Sequence, residues 1–366
     1  MYVLMNKDIE IALFDIVEQF GEEHIDIKQF KEQLMFSWMT NLERFILNRK
    51  APKHREHIDK LMKQCGCESL AGFLDVTHAL SLNDTFWIKK YDDKRLKWDN
   101  VSLYRNSFNE TIAKIAFDGG LYGENFSSTS PEFGTDGMFA KCWVRENNSI
   151  KLIKRGSEGE INAGLEPYSE YYASQIINAL GIKHVEYDLG TKHNNVVSKC
   201  NLFTSEKYGL VTLQKYYRNI FSISDLIKFY DKLGLRDYIS QLLVVDSLIF
   251  NEDRHLGNLG FIFDNDTGKI VDTAPFYDHN ISLLCYAMRD DFIDIRGYIR
   301  NNNKGHKMGG NSFEAVGRAL MTPDMRTRLI NISDFKFTRH KKYNLPEWRL
   351  IELEKLVRHQ IKLLLQ

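Results

Sequence analysis

The sequence predicts an α+β fold of two lobes, a small β-rich lobe and a large helical lobe, with an N-terminal helical extension. Short apolar runs bounded by turn residues, at 138–144 and 149–153, are typical of strands. Apolar residues at helical spacing predict helices over 167–180, 238–250 and 346–365. These patterns place strands in the middle of the chain and most of the helices after them.

The length of the chain sets the number of modules. A chain of 366 residues can bury the cores of two lobes and one further module. We expect a helical N-terminal module over 1–82, a small lobe with an aromatic-rich beginning over 83–200, and a helical lobe over 201–366.

Composition excludes several classes of protein. The 49 basic and 49 acidic residues cancel, so no global field attracts nucleic acid or an anionic membrane. No apolar run reaches the ~18 residues of a membrane span, and the N-terminus lacks a signal-peptide pattern. The five cysteines are sparse, and Cys65 and Cys67 are too close together for the usual zinc pair. We therefore expect a reduced cytoplasmic setting, with no membrane and no direct nucleic-acid contact.

Two apolar stripes at helical spacing predict helices in the first 80 or so residues. They comprise Ile9, Leu13, Ile16, Val17 and Phe20, and then Phe30, Leu34, Trp38, Leu42 and Phe45. Such stripes are usually faces that pack on a core or a partner. The aromatic-rich stretch from Phe86 to Tyr104 has few periodic signals. It is expected either to pack on the small lobe or to form a docking surface.

A turn with two glycines, Gly134-Thr135-Asp136-Gly137, precedes the first predicted strand. Glycines let backbone N–H groups approach phosphate oxygens closely, although most such turns are ordinary hairpins. Lys154 ends the next strand, where its ammonium could reach nucleotide phosphates, and Lys141 and Lys151 are alternatives. Alternation from Ile153 would put Lys154 opposite the apolar face, which favours it.

The helix predicted over 167–180 begins near a proline and ends at a glycine. Glu170 in its first turns is the candidate ion-pair partner of the strand lysine, and Glu166 is the alternative. A glutamate there can also simply complement the helix dipole. A later strand-like run ends in Lys199 and Cys200, whose backbone is predicted to be a hinge that binds adenine because of its order along the chain.

The most informative segment is Asn251-Glu252-Asp253-Arg254-His255-Leu256-Gly257-Asn258, followed by Pro275-Phe276-Tyr277-Asp278. An aspartate can position a hydroxyl nucleophile and accept its proton, while an amide oxygen and a second carboxylate can hold Mg²⁺ against phosphates. The step from Asp253 to Asn258 lets one loop direct both side chains into one pocket. A hairpin with its turn at 264–268, rather than a calcium loop, would return the chain to that pocket. The alternative is that Asp253 and His255 only cap the helix and bond the loop backbone.

This segment resembles the motif of the HipA-like serine/threonine kinases. The family pattern has an aspartate, a histidine two residues on and an asparagine three beyond that, here Asp253, His255 and Asn258. A T-P-F-Y-D-type segment follows, here 273–278 with one extra residue after Thr273.

The resemblance covers about 127–280. The run 149–154 is similar to the family's strand with the nucleotide-binding lysine, and 169–182 is similar to its following helix. Roughly the first 120 residues do not match the family, whose longer members carry a β-rich N-terminal domain there.

The resemblance implies a protein-kinase-like fold and a serine/threonine protein kinase that uses ATP and Mg²⁺. Asp253 would be the catalytic base, and Asn258 and Asp278 would be the metal ligands. His255 would either support the loop or contact the transferred phosphate as a cation. A protein substrate, an antitoxin-like protein partner and toxin-type growth arrest are further expectations. So is self-phosphorylation within Ser127-Ser128-Thr129-Ser130, which would limit activity.

Two alternatives remain open. The same D-R-H-x-x-N string occurs in phosphoinositide-kinase-like enzymes, so a lipid or small-molecule kinase is one of them. The segment Phe276-Tyr277-Asp278 disfavours it, because those enzymes are expected to have D-F-G there. A pseudokinase that serves as a binding module is the other alternative, and the presence of every metal-binding position disfavours it.

Overall fold

The computed structural model describes residues 1–39, 41–50, 56–120, 129–217, 219–309 and 312–366. The chain divides into two compact units. The first comprises Met1–Lys154, Asn201–Tyr216 and Gly260–Ala274, and the second comprises Arg155–Cys200, Tyr217–Leu259 and Pro275–Gln366. Strands and helices occur in both units, as predicted for the α+β class.

The described strands are β1 (Tyr2–Asn6), β2 (Ile9–Gln19), β3 (Glu22–Phe30), β4 (Phe86–Lys90), β5 (Lys141–Glu146), β6 (Ser149–Arg155), β7 (Tyr187–Lys192), β8 (Asn195–Asn201), β9 (Tyr208–Thr212), β10 (Gly260–Asp264) and β11 (Ile270–Thr273). The described α-helices are α1 (Leu42–Leu47), α2 (Ile58–Gln64), α3 (Leu70–Thr77), α4 (Trp98–Val101), α5 (Glu110–Asp118), α6 (Glu166–Ala179), α7 (Leu213–Tyr216), α8 (Ile223–Lys232), α9 (Arg236–Ile249), α10 (Ile295–Asn301), α11 (Phe313–Ala319), α12 (Pro323–Asn331) and α13 (Glu347–Leu365).

The N-terminus of the first unit is an antiparallel sheet in the order β3-β2-β1-β4, so the helix predicted over 9–20 is wrong. Ile11 and Phe14 are buried in the core, whereas Phe20, which belongs to the predicted stripe, is fully exposed. Phe20 and Gly21 have φ values of 54° and 80°, and a two-residue hairpin turn requires positive φ at both positions. This turn reverses the chain where the apolar spacing alone favours a continuous helix.

The α-helices of the first unit begin at Leu42. The helical character predicted for the N-terminal module therefore applies only to the part of the module that follows β3. The second predicted stripe supplies core aromatics rather than one helix. Trp38 packs against Phe263 in a tilted arrangement with ring centroids 4.7 Å apart. Phe45 packs edge-on against Phe86 with ring centroids 5.1 Å apart. These contacts join the segment after β3 to β4 and β10.

The aromatic-rich stretch packs inside the first unit. Trp87 and Trp98 are buried in one cluster with Val3 and Met5 of β1. The indole N–H of Trp98 donates to Glu206 at 2.7 Å, which satisfies its polar atom. Of the two predicted roles, packing accounts for these two tryptophans.

Hairpins supply the remaining strands. β5 and β6 pair around Asn147-Asn148, where both residues again have positive φ, and β7 pairs with β8 in the second unit. β10 lies between β9 and β11 in the first unit. The Asp264 carboxylate accepts hydrogen bonds from the N–H groups of Asp266 and Thr267, at 3.0 and 2.9 Å. This turn geometry confirms the prediction of a hairpin at 264–268.

The second unit is mainly helical. The predicted helices 167–180, 238–250 and 346–365 are present as α6, α9 and α13, with ends close to the predicted ones. α9 is buried along most of its length, which agrees with its apolar sequence. No described helix is long and apolar enough to cross a membrane.

Candidate active site

The loop 251–258 is built on the last turn of α9. Phe250 has a left-handed backbone, with φ 55°, and ends the helix. The carboxylate of Asp246 accepts a hydrogen bond from the side-chain nitrogen of Asn251 at 2.8 Å. The amide oxygen of Asn251 in turn accepts from the N–H of Asp253 at 3.2 Å. The end of α9 therefore fixes the backbone that carries Asp253.

Arg254 is the buried centre of this region, with 1% of its surface exposed. Its Nε and Nη2 donate to the two carboxylate oxygens of Asp246, at 2.8 and 3.0 Å. Its Nη1 donates to the carbonyl oxygens of Asn258 and Tyr277, at 3.0 and 2.9 Å. Because one nitrogen contacts both carbonyls, the loop that carries Asn258 adjoins the segment that carries Asp278.

The charge state of this centre follows from the same contacts. Burial disfavours ionisation of the Asp246 carboxyl, but the charge and hydrogen bonds of Arg254 outweigh burial, so the pKa of Asp246 is lowered. The region therefore holds a buried ion pair rather than two neutral groups.

Asp278 is held from two sides. Its N–H donates to the hydroxyl of Tyr187 at 3.0 Å, and the hydroxyl of Tyr277 donates to the Gly257 carbonyl at 2.8 Å. Asp278 has φ 60°, which is uncommon for a residue other than glycine and is often found at functional sites. Its backbone is thus fixed against both β7 and the catalytic loop.

Asn258 and Asp278 supply oxygen donors on these adjoining segments. The amide nitrogen of Asn258 donates to the Asp253 carbonyl at 3.4 Å, which leaves its amide oxygen as the ligand atom. Mg²⁺ in nucleotide sites takes one or two protein oxygens and completes its shell with phosphate oxygens and water. The described residues hold no cluster of three or more His, Cys, Asp and Glu side chains suited to a metal. By that requirement, an amide oxygen and a carboxylate fit a metal that arrives with a nucleotide.

His255 is positioned as a support for the loop. Its Nδ1 accepts a hydrogen bond from the Gly257 N–H at 3.0 Å. A ring nitrogen that accepts must be unprotonated, so the proton of the neutral imidazole is on Nε2. Burial lowers the pKa of His255, which also favours the neutral ring. This contact favours the predicted role of His255 as a support for the loop. A neutral ring has no positive charge with which to contact a phosphate as a cation.

A lysine that sequence reasoning missed contacts the predicted base. The Nζ of Lys307 lies 2.5 Å from Oδ1 of Asp253. Beside it, Lys304 pairs with Glu252 at 2.7 Å. Both lysines are distant in sequence from the loop, in a stretch with no motif, so only the fold brings them to it.

The predicted glycine turn lies in the first unit. Gly134 ends a short 3₁₀ helix, Pro131–Gly134. The hydroxyl of Thr135 donates to the Pro131 carbonyl at 2.6 Å and accepts from the indole N–H of Trp143 at 2.9 Å. These contacts anchor the start of the turn to β5.

Two lysines contact Asp136 near the end of the turn. Asp136 accepts from Lys141 through its carbonyl, at 2.8 Å, and pairs with Lys215 through its carboxylate, at 2.9 Å. Gly137 has φ 97°, and a Cβ there would lie 2.2 Å from Nζ of Lys141. The positive φ favours glycine at this position, whereas the nearby Lys141 Nζ is the end of a flexible side chain that can shift.

The three candidate nucleotide lysines differ in their surroundings. Lys154 lies opposite Lys141 in the β5–β6 register, and both are buried. Lys151 forms an ion pair with Glu146 at 3.0 Å on the same hairpin. The role of Lys154 as the nucleotide lysine, with Lys141 and Lys151 as its alternatives, remains a prediction.

Both candidate glutamates are buried in the second unit. Glu170 is fully buried and accepts a hydrogen bond from the Ser198 hydroxyl on β8 at 2.5 Å. Glu166 begins α6 and accepts from the Tyr286 hydroxyl at 2.7 Å. Glutamates that only complement a helix dipole are usually exposed, so burial sets both apart.

The predicted site residues fall into two sets. Asp253, His255, Asn258, Asp278, Glu170, Lys199 and Cys200 belong to the second unit, and Gly134, Thr135, Asp136, Gly137 and Lys154 belong to the first. Lys199 and Cys200 lie in β8, opposite Asp188 and Tyr187 of β7. Their role as a hinge remains a prediction.

Buried histidines around the loop predict acid sensitivity. Burial, with the charge of Arg254, lowers the pKa of His279 to about 3, and burial also lowers the pKa values of His306 and His255. Below pH 6.5 the unfolded chain binds protons that the folded chain does not, so stability present above pH 6.5 is lost as pH falls towards these lowered values. Each such histidine contributes a slope of up to about 1.4 kcal/mol per pH unit.

Urea unfolding between pH 7.5 and 4.5 measures this slope, and we expect the midpoint to fall steadily below pH 6.5. His279→Asn should flatten the dependence, whereas His193→Asn, in the exposed β7–β8 turn, should leave it unchanged. An identical pH dependence in wild type and His279→Asn would contradict the assignment.

No protein-family model matches the chain. The curated serine/threonine-protein kinase CtkA of Helicobacter pylori is 30% identical over 46% of this chain and 57% of the relative, so the chain spans less than two thirds of that relative's length. The crystal structure of this proinflammatory kinase matches with a TM-score of 0.51 and 21% identity, over 64% of this chain and 93% of that one. HipA of Shewanella oneidensis, solved with HipB and operator DNA, matches with a TM-score of 0.56 and 9% identity, over 99% and 97% of the chains.

These comparisons confirm the predicted resemblance to HipA-like kinases. At such identities the structural matches establish the fold alone. The HipA match extends over nearly the whole chain, and therefore over the N-terminal residues that no sequence motif connects to that family.

Proposed function

We propose that this chain is an ATP- and Mg²⁺-dependent serine/threonine protein kinase of the HipA-like type. The observation that carries the proposal is the pair of contacts from Arg254 to the carbonyls of Asn258 and Tyr277. They support a site that combines an aspartate, an amide and a second aspartate, the groups that phosphoryl transfer uses. The relationship to a kinase in sequence supports the same assignment.

Each residue has a defined task under this proposal. Asp253 accepts the proton of the substrate hydroxyl as that oxygen attacks the γ-phosphate. Asn258 and Asp278 would hold Mg²⁺, which would supply positive charge to the phosphate oxygens. His255 supports the loop between them.

The nucleotide tasks are assigned to the residues predicted from the sequence. The turn Gly134–Gly137 would approach the phosphates through backbone N–H groups, and Lys154 would pair with them. Glu170 would orient the lysine, with Glu166 as its alternative. The backbone at Lys199 and Cys200 would bind adenine.

Incubating the pure protein with γ-labelled ATP and Mg²⁺, alone and with cell lysate, tests the proposal. Label on serine or threonine of protein is the expected result. Label on lipid or a metabolite would favour the small-molecule alternative, and nucleotide binding without any transfer would favour the pseudokinase.

Self-phosphorylation is expected within Ser127-Ser128-Thr129-Ser130. Ser127 and Ser128 lie outside the described residues, while Ser130 is buried with its hydroxyl bonded to Glu132, so modification of Ser130 would require it to leave that contact. A phosphate adds about two negative charges at neutral pH, which would repel nucleotide phosphates and slow later turnover.

Mass spectrometry after incubation with Mg·ATP detects this modification, with Asp253→Asn as the control that should stay unmodified. An unmodified segment in protein that has turned over ATP would contradict this prediction.

We further propose a growth-regulating, toxin-like role with an antitoxin-like protein partner. The likeness to HipA, which was solved with HipB and operator DNA, supports it. A cytoplasmic setting is supported by the five cysteines, none of which forms a disulfide in the described part of the chain.

A further inference from the structure

A short segment of the second unit lies against the catalytic loop. The segment 304–307 makes three contacts in a row: Lys304 with Glu252 at 2.7 Å, His306 with Ser247 at 3.1 Å, and Lys307 with Asp253 at 2.5 Å. Since Ser247 belongs to α9, the segment is attached to both the helix and the loop.

Buried anchors hold this segment in place. The hydroxyl of Ser247 donates to the Leu243 carbonyl at 2.7 Å, so it accepts from Nε2 of His306, which therefore carries a proton. His306 is 7% exposed and Lys304 is mostly buried, whereas the side chain of Lys307 is half exposed. The segment thus presents one half-exposed ammonium, that of Lys307, to the Asp253 carboxylate.

The other cationic side chains of the loop are not available to a phosphate. Arg254 is 1% exposed and donates to Asp246, Asn258 and Tyr277. His255 is neutral because its Nδ1 accepts a hydrogen bond. Phosphoryl transfer nevertheless needs positive charge near the transferred group.

The contact leaves room for the proton acceptor to act. Lys307 reaches Oδ1 of Asp253, and no hydrogen bond from the described residues reaches Oδ2. One carboxylate oxygen can therefore accept the substrate proton while the ammonium stays beside the other.

We propose that Lys307 is a catalytic residue whose ammonium contacts the γ-phosphate during transfer, an assignment that rests on the proposed kinase function. As the bond between the substrate oxygen and the γ-phosphorus forms, the bond from that phosphorus to the β–γ bridging oxygen breaks. ADP leaves with the electron pair, and the hydroxyl proton goes to Oδ2 of Asp253. Lys307 stabilises the phosphoryl oxygens throughout this step.

The first test uses an acyl-phosphate derivative of ATP, which acylates lysines close to the γ-phosphate. With Mg²⁺ we expect mass spectrometry to find Lys307 acylated, and excess ATP to protect it. Acylation of Lys307 that ATP does not suppress, or none at all, would overturn the assignment independently of any activity measurement.

The second test is kinetic. Lys307→Ala should lower kcat by about 100-fold, the lower end of the range for removing a charge-stabilising group, with little change in KM for ATP. Lys304→Ala is the matched control, because it removes a neighbouring tether and keeps the cation at Asp253. Lys307→Arg should retain part of the activity.

The outcomes separate this inference from the proposed function. A more active Lys307→Ala enzyme would show that the lysine blocks the base. Equal losses in Lys307→Ala and Lys304→Ala would show that Lys307 only holds the segment against the loop. Either result overturns the inference. A wild-type protein that transfers no phosphate would overturn the proposed function together with this inference.

Discussion

Asp253→Asn is expected to lower the rate of phosphoryl transfer by at least about 100-fold, the lower range for losing a general base. The amide is nearly isosteric with the carboxylate but cannot accept the substrate proton. The backbone at this position is fixed by Asn251, so the loop should keep its conformation. Nucleotide affinity, measured by calorimetry with Mg·ATP, should therefore stay near the wild-type value.

Asp278→Asn is the informative counterpart. It alters the proposed metal ligand rather than the proposed base, so it should lower turnover and also weaken the binding of Mg·ATP. Asp334→Asn, at an exposed position of the second unit, is the control and should change neither quantity. A fully active Asp253→Asn enzyme would refute the catalytic assignment.

The catalytic loop could be predicted from the sequence because its chemistry is local. Asp253 and Asn258 must lie a fixed number of residues apart to share one pocket, and that spacing is visible in the sequence. The helix α9 that carries the loop is also predictable, since its apolar residues recur at helical spacing. The hairpin before Asp278 follows from its turn residues.

The N-terminal sheet could not be predicted by the same method. β2 carries apolar residues on both of its faces. Some of them therefore also fall at helical spacing, which makes the strand look like a helix in the sequence. The deciding feature is the turn at Phe20 and Gly21, where two positive φ values reverse the chain. Phenylalanine at such a position is unusual, and no common turn pair marks it.

Long-range contacts form the rest of the site and have no local signal. The sequence shows that Arg254 lies beside Asp253, but not that Asp246 pairs with it from inside the helix. Nor does it show that Lys307 returns to the loop from 54 residues away. These pairings depend on how the helices of the second unit pack.

Arg254→Met is expected to be strongly destabilising. It leaves the carboxylate of Asp246 buried without its ion-pair partner, and breaking a buried pair in this way costs about 3–5 kcal/mol. Urea unfolding of the purified variant, followed by fluorescence and circular dichroism, measures the loss. Lys355→Met is the matched control, because the pair of Lys355 with Glu352 is largely exposed and worth under about 1 kcal/mol.

A second variant separates stability from catalysis. Replacing both partners, as Arg254→Met with Asp246→Leu, removes the uncompensated charge, so much of the lost stability should return. Activity should not return with it, because the carbonyls of Asn258 and Tyr277 still lack the nitrogen that holds them together. Turnover in the double variant should therefore stay far below wild type even where its unfolding midpoint recovers. If stability and activity recovered together, the metal ligands would hold their positions without Arg254, and its proposed role in joining the two segments would be wrong.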